Sequence, residues 1–355
     1  MDIVAQSGHA LAEAYFRELI VPLLAQQWPQ LRYAAARLGS GSDVLGLDDE
    51  TSRDHDWGLR MTLLVNPENI GPVDEYLERS LPTTFHGYPT RFATTWQALS
   101  RHQIEVASAD SFATSLLGIE PSRLLSPETW LSLTGQSILE LTAGPVYTDT
   151  IGRLTEIRAG LNWYPHDVWL YVVAADWSRL RRELPFVGRA GQRGDDLGSR
   201  VIAARLVHIA MHLGFMLERR WAPYGKWFGT AFARLPTAGA ATTALTGALA
   251  ADDCRTRERM LCAALELLAR LQRSLGLPTP AVVTEPFYRR PFRGLAAVAE
   301  LLIATVDDAD VRRLPNGIGS IEQWSDNVDV LTSTELRSAF SRALATRTAR
   351  CPQDQ

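Results

Sequence analysis

The chain has 355 residues, of which 46% are hydrophobic and 21% charged, and its formal net charge is −4 at pH 7. This length allows two domains with substantial cores, and the composition is that of an ordinary globular protein. The net charge argues against a generally basic surface for nucleic acid, although it leaves room for a local basic patch. The three cysteines lack paired spacing and predict neither a disulfide framework nor a zinc site. With no signal-like N-terminus and no apolar run of membrane-spanning length, we expect a cytoplasmic protein without membrane contact.

The first 115 residues mix helical and strand patterns. Apolar residues at helical spacing predict a helix over residues 9–29, interrupted by Pro22, and another over residues 71–81. Strand patterns occur at 32–40, 55–65, 84–95 and 101–107. Helices and strands intermixed in this way predict an α/β domain over residues 1–115, built around a short mixed sheet.

The remainder of the chain is helical in pattern. Pattern and helix-stop signals predict short helices within 109–142 and then helices at 148–161, 166–184, 195–221, 225–235, 242–250, 256–276, 294–306 and 334–345. Gly276 is expected to end the long helix before it. Residues 116–355 are therefore predicted to form a larger all-α helical-bundle domain.

The most informative stretch is a glycine-serine turn followed by a pair of acids. Asp54 and Asp56 alternate along a predicted strand, so their side chains project from the same side. Two carboxylates this close repel each other unless a cation lies between them, and hard divalent cations prefer carboxylate oxygens. Gly41, Ser42 and Gly46 supply backbone N–H groups and a hydroxyl, which bind phosphate oxygens. The combination predicts magnesium-dependent phosphoryl or nucleotidyl transfer.

Neighbouring polar residues are given structural interpretations. Asp48, Asp49 and Glu50 are expected to be solvated residues of the connector before the second strand. His208 and His212 have the spacing of a metalloprotease pair, but no Glu follows His208. Since apolar residues surround both histidines, we expect them to belong to the core rather than to a metal site.

The order of the turn and the Asp54-x-Asp56 pair resembles the signature of the polymerase-β-like nucleotidyltransferase superfamily. The resemblance implies that Ser42 contacts phosphate and that Glu105, on a later strand, is a third carboxylate. Such a carboxylate helps to hold the metal and can take the proton from an attacking hydroxyl. The alternative is that the two aspartates are turn or helix-cap residues and that Glu105 is a solvent-facing strand residue.

A second resemblance covers most of the chain. Residues 52–58, 194–199, 205–206 and 218–227 resemble an uncharacterised bacterial family that pairs a nucleotidyltransferase-like N-terminal half with an all-helical C-terminal half. This architecture is similar to that of the aminoglycoside nucleotidyltransferases, in which a helical domain closes over the nucleotide and presents the acceptor. The resemblance implies a fold and a class of chemistry, but no substrate.

The helical half contributes candidate nucleotide-binding residues. Arg189 and Lys226, the chain's one lysine, could bind a triphosphate tail, and Tyr224 could stack on a base. The alternative is that the arginines of this region form ion pairs on helix surfaces and that its aromatic residues belong to the core.

The sequence thus leads to the hypothesis of a two-domain nucleotidyltransferase. Asp54, Asp56 and Glu105 would hold two Mg²⁺ ions, and Gly41 and Ser42 would bind the phosphates of ATP or another nucleoside triphosphate. A small hydroxylated molecule is the expected acceptor, and the acidity of the chain makes it a better expectation than nucleic acid. Two alternatives stay open: transfer onto a macromolecule such as tRNA or protein, and a non-catalytic nucleotide-binding regulatory module.

Overall fold

The chain is arranged as two compact units. The computed structural model describes residues 7–49, 51, 57–95, 97–121 and 124–349. The first unit comprises the chain up to Leu124 together with Ser137–Asn162, and the second comprises Leu125–Gln136 together with the chain from Trp163 onward. The sequence places the domain boundary near residue 115. The observed units interleave along the chain because residues 137–162 return to the first unit.

Helices are the main element of the structure. In chain order they are α1 (Gly8–Ala14), α2 (Val21–Gln27), α3 (Ile70–Ser80), α4 (Ala109–Leu117), α5 (Pro127–Ser132), α6 (Gly135–Thr142), α7 (Arg153–Gly160), α8 (His166–Gln192), α9 (Asp196–Leu217), α10 (Gly225–Ala233), α11 (Thr242–Ala250), α12 (Cys254–Ser274), α13 (Val298–Ile303), α14 (Ala309–Arg312), α15 (Ile321–Trp324), α16 (Val328–Thr332) and α17 (Thr334–Ala349). A π-helical segment, Tyr15–Ile20, joins α1 to α2 just before Pro22. Because proline has no N–H to donate, an irregular turn at this position is expected.

Nine strands are found in the described residues, and five of them form one mixed sheet. They are β1 (Tyr33–Ala36), β2 (Arg60–Val65), β3 (Thr84–Phe85), β4 (Tyr88–Pro89), β5 (Arg91–Thr94), β6 (Gln97–Ala107), β7 (Val146–Asp149), β8 (Thr284–Pro286) and β9 (Arg293–Leu295). The sheet order is β5-β6-β2-β1-β7, with β2 and β6 parallel and the other neighbours antiparallel. The mixed sheet with helices predicted for the N-terminal part is therefore confirmed.

A hydrophobic cluster of the first unit lies on one face of this sheet. Met61, Leu63 and Val65 alternate along β2 and pack with apolar residues of α1, the π-helical segment and α3. Residues of even number on β2, including Thr62, point to the other face. Glu105, the predicted third carboxylate, pairs with Thr62 in the sheet.

The second unit is rich in helices, as the sequence predicts, and is organised around α8, α9 and α12. Most of α8 is buried, from Val168 to Trp177 without interruption. Helix α9 is long and apolar enough to cross a membrane by length and composition, but 61% of its most apolar stretch is buried inside the protein. The core helix of a globular protein has the same character, so this helix is weak evidence for a membrane span.

Two helices begin later than the sequence predicts. Residues 148–149 and 294–295, predicted as the first residues of helices, belong to the edge strand β7 and to β9. Both are strands of three or four residues whose pairing partners fix their conformation, which local patterns do not reveal. Gly276, in contrast, has a φ of +76° just beyond α12, as expected for a residue that ends a helix.

Candidate functional site

The glycine-serine turn follows β1 and is shaped by a buried ion pair. Arg37 is only 2% exposed, and its guanidinium donates to the Asp43 carboxylate over 2.7 and 2.9 Å. It also donates to the backbone carbonyls of Leu38 and Ser40, over 2.6 and 2.9 Å. Paired and hydrogen-bonded on several sides, the buried charge is compensated. The pair fixes the path of the backbone from residue 38 to residue 43.

Gly41 is required by this arrangement. Its φ is +134°, a conformation that other residues rarely adopt. A Cβ atom at this position would overlap Oδ1 of Asp43 and would lie 2.7 Å from Nη2 of Arg37. The glycine therefore allows the turn to close tightly over the ion pair.

Ser42 begins a short run of turns. Its carbonyl accepts from the N–H groups of Leu45 and Leu47, and the carbonyl of Asp43 accepts from Gly46. Within the described part of the chain, neither the backbone N–H nor the hydroxyl of Ser42 has a hydrogen-bonding partner. Both donors are thus available to an anion, which is the role predicted for this residue.

The last turn of α6 and the segment that leads from it to β7 form backbone contacts with the glycine-serine turn. The N–H of Gly39 donates to the carbonyl of Glu140 over 2.7 Å, and the N–H of Arg37 donates to the carbonyl of Pro145 over 3.0 Å. Gly144 lies so close to the backbone of Arg37 that a Cβ atom would overlap the carbonyl of Arg37. The turn is therefore held by backbone contacts on two sides.

Asp48 is an anchor rather than the solvated connector residue that the sequence predicts. Its carboxylate accepts from the N–H of Gly8 over 2.8 Å and from Nε1 of Trp57 over 3.4 Å. Asp48 is only half-buried, but it joins the start of α1 to the residue that directly follows Asp56. A short acid-rich connector gives no local sign of such long-range bonds.

The predicted acidic pair, Asp54 and Asp56, lies outside the described residues. The structure does describe the start of β2, where Nη2 of Arg60 lies 3.3 Å from the hydroxyl of Ser40. The strand that follows the acidic pair thus begins beside the glycine-serine turn.

Glu105 lies in the middle of β6 and is exposed to solvent. In the parallel register it pairs with Thr62 of β2, whose hydroxyl contacts the backbone of Leu38. Paired residues of a sheet point to the same face. Glu105 therefore projects from the face on which the turn begins, and its carboxylate has no partner among the described residues.

Two of the candidate residues in the second unit lie together, and the third lies apart. Tyr224 and Lys226 are exposed at the start of α10, where the ammonium of Lys226 lies 5.0 Å from the ring centre of Trp227. Arg189 lies near the C-terminal end of α8.

Helices α8 and α9 run antiparallel. Trp169 donates to the carbonyl of Met216 at one end of the pair, and Ser199 donates to the carbonyl of Val187 at the other. About 25 Å of helix separates these two ends. Arg189 is therefore not part of one cluster with Tyr224 and Lys226.

Other arginines of the second unit have partners, as the alternative interpretation expects. Arg200 pairs with Asp196, and Arg205 pairs with Glu183. The guanidinium of Arg219 lies 4.3 Å above the ring of Trp169.

A buried polar network fixes the centre of the second unit. Asp176 is fully buried, and its carboxylate lies 2.6 Å from Nδ1 of His212 and 2.6 Å from Nε2 of Gln323. The adjacent Glu322 accepts from the N–H of Gly135, and burial raises the pKa of Glu322 to about 7. Burial alone would lower the pKa of His212, but the Asp176 carboxylate raises it above its usual range.

The prediction of a core histidine is confirmed for His212 but is wrong for His208. His208 is exposed and stacks on Phe228, with a distance of 4.7 Å between the ring centres. Within the described ranges, no three His, Cys, Asp or Glu side chains form a group that could hold a metal ion.

Comparison with known proteins gives limited matches. Residues 130–228 match a family described as a domain of unknown function (DUF4037). Among solved structures, the chain is similar to the nucleotidyltransferase-like protein from Exiguobacterium sibiricum 255-15, with 12% identity, 74% of each chain covered and a TM-score of 0.33. No curated protein matches the chain. The likeness to a nucleotidyltransferase-like protein is thus a weak one.

Proposed function

We propose that the protein is a magnesium-dependent nucleotidyltransferase. It would move a nucleoside monophosphate, AMP from ATP or its counterpart from another nucleoside triphosphate, to a hydroxyl of a small molecule and release pyrophosphate. The observation that carries the proposal is the turn at Gly41, in which the N–H and hydroxyl of Ser42 have no hydrogen-bonding partner within the described residues. In the same turn, Ser40 lies beside Arg60 at the start of β2. The acidic pair precedes this strand in the sequence.

The metal-binding residues of the proposal are Asp54, Asp56 and Glu105. Carboxylate oxygens are the ligands that Mg²⁺ prefers. Glu105 fits this role because it is exposed on the strand beside β2 and has no partner in the described part of the chain. When bound, the ions would supply charge stabilisation to the triphosphate.

The protein's own groups would bind and orient the reactants. The N–H and hydroxyl of Ser42 would hold the β- and γ-phosphates, which fixes the α-phosphate for in-line attack. Glu105 takes the proton of the acceptor hydroxyl. The acceptor oxygen then bonds to the α-phosphorus while the bond to the bridging oxygen breaks and pyrophosphate leaves.

Tyr224 and Lys226, which lie together at the start of α10, are the nucleotide-binding candidates of the second unit. Tyr224 is proposed to stack on the base, and Lys226 is proposed to bind phosphate oxygens. Arg189 is left out of this part of the proposal because it lies at the other end of the α8–α9 pair.

The test is pyrophosphate release by the full chain with Mg²⁺, each nucleoside triphosphate and a panel of hydroxylated small molecules. Replacing both acids, Asp54→Asn with Asp56→Asn, is expected to lower the rate at least about 10³-fold because the metal ligands are lost. The matched control, Asp326→Asn with Asp329→Asn, removes two exposed charges of the second unit and is expected to keep the rate. No pyrophosphate under any combination, or an unchanged rate in the Asp54/Asp56 variant, contradicts the proposal.

A further inference from the structure

One open cleft of the second unit is lined mainly by arginines. Its volume is about 380 Å³, and its charged lining consists of Arg189, Arg193, Arg289 and Arg290. We call this site the arginine cleft. All four arginines are exposed, and within the described residues none of them forms an ion pair. This differs from other exposed arginines of the unit, such as Arg181, which pairs with Glu300, and Arg205, which pairs with Glu183.

Two parts of the fold bring these charges together. Arg189 and Arg193 lie one helical turn apart at the end of α8, and Arg289 and Arg290 lie at the tip of the β8–β9 hairpin. Phe292, at the base of the tip, seats against Gly188, where a Cβ atom would lie only 2.7 Å from its ring.

Glu258 of α12 contacts the same hairpin through a hydrogen bond. Its carboxylate is buried and accepts from the N–H of Arg293 over 2.9 Å. These contacts fix the hairpin against α8. The fold itself therefore brings the four arginines together.

Two acids near the end of α8 are engaged elsewhere. Asp195 caps the start of α9, where its carboxylate accepts from the N–H of Gly198. Asp196 pairs with Arg200 and Arg257. The negative end of the α8 dipole accounts for the two helical arginines, since cations are favoured at a helix C-terminus. The helix dipole does not account for Arg289 and Arg290 at the hairpin tip. Because like charges repel each other, placing all four arginines in one cleft costs free energy.

An aromatic residue, Tyr288, directly precedes Arg289 at the same hairpin tip, outside the lining of the cleft. Its ring centre lies 4.9 Å from that of Phe287. Tyr288 is 82% exposed at the hairpin tip and has a φ of +55°, a conformation uncommon for a residue other than glycine. The turn is closed by a bond from the N–H of Arg290 to the carbonyl of Phe287. Burial does not explain this ring, because most of its surface faces water.

We propose that the arginine cleft and Tyr288 bind single-stranded nucleic acid. Arginine forks match phosphate oxygens in a bidentate manner, and four of them can follow successive phosphates of one strand. An exposed aromatic ring beside such a path stacks on bases of any sequence. An open cleft lets a strand enter and leave, whereas a small polyphosphate is better held in an enclosed pocket. The proposal goes beyond the proposed catalytic activity and does not depend on it.

The test is fluorescence anisotropy of labelled 12-nucleotide RNA and DNA strands with the full chain, without nucleoside triphosphate or Mg²⁺. The double variant Arg289→Ala with Arg290→Ala is expected to lower affinity at least about tenfold and to reduce the slope of log affinity against log salt by roughly 1.4, about 0.7 for each lost phosphate contact. Tyr288→Ala is expected to lower affinity about tenfold with an unchanged slope, because stacking carries no charge.

The matched control is Arg181→Ala with Arg205→Ala, which removes the same charge from exposed, paired positions of the same unit. It is expected to keep both affinity and slope. Circular dichroism of each variant verifies the fold. The proposal is overturned if the wild-type chain binds no strand at low salt, or if the two double variants lose affinity equally. It is also overturned if tripolyphosphate binds as tightly as the strands while Tyr288→Ala has no effect, since the cleft would then be a small-polyphosphate site.

Discussion

At the scale of single residues, the conformation of the glycine-serine turn depends on Gly41 and on the buried ion pair between Arg37 and Asp43. The sequence indicates the turn through Gly41 and Ser42, whose types match phosphate binding. It does not indicate that Arg37 and Asp43 form the buried pair beneath the turn. A charged residue just after a short strand is normally a surface residue, whereas Arg37 is only 2% exposed. Its backbone bond to Pro145, more than a hundred residues away, has no sign in the local sequence.

Gly41→Ala is expected to destabilise the protein by about 2–3 kcal/mol, because it adds steric overlap with the ion pair to an unfavourable backbone conformation. The measurement is the free energy of unfolding in urea. Gly46→Ala is the matched control, since its φ is +64° but nothing lies within 4 Å of the added atom, and it is expected to cost about 1 kcal/mol. Equal losses in the two variants would show that the ion pair does not restrict residue 41.

At the scale of elements, long periodic segments were predictable and short strands were not. Helices α9 and α12 and strand β6 follow from their patterns over seven or more residues. The strand β7 has four residues after a proline, and β8 and β9 have three each. Patterns this short do not distinguish a strand from the start of a helix. Their conformation depends on partners distant in the sequence, which a single sequence does not reveal.

The contact between the β8–β9 hairpin and α8 can be tested at one position. Gly188→Ala is expected to destabilise the protein by about 1–3 kcal/mol, because the added methyl group meets the ring of Phe292 at 2.7 Å and Glu258 at 3.1 Å.

The contrasting variant is Gly229→Ala, in the exposed interior of α10, where nothing lies within 4 Å. Alanine should stabilise that helix by up to about 1 kcal/mol. Urea denaturation of both variants measures the difference. A Gly188→Ala protein as stable as Gly229→Ala would show that the hairpin does not seat tightly on α8.

At the scale of the whole molecule, pH is expected to act through the buried network around Glu322. The charged and titratable groups that surround it are His212, Asp176, Tyr164 and Arg337. Burial raises the pKa of Glu322 in the folded protein to about 7, above its usual value of 4.5. Folding therefore favours the protonated form, and the associated stability is present below pH 4.5 and is lost as pH rises through 7.

Glu322→Gln keeps an acceptor for the N–H of Gly135 and removes this titration. Its stability relative to the wild-type chain is expected to be higher at pH 8 than at pH 5, by on the order of 1–2 kcal/mol because Glu322 keeps some contact with water. Thermal unfolding of both proteins across this range measures the difference. A difference that does not change with pH would mean that Glu322 titrates normally in the folded chain.

The position of β7 has a consequence for how the protein is made. This strand covers the outer edge of β1, yet it is separated from β1 by more than a hundred residues, including a segment that belongs to the other unit. A ribosome must therefore translate past residue 149 before the sheet can be completed, and until then β1 presents unpaired backbone groups. Early termination after residue 124 would leave a nascent sheet with an open edge, which is a site where identical chains adhere to one another.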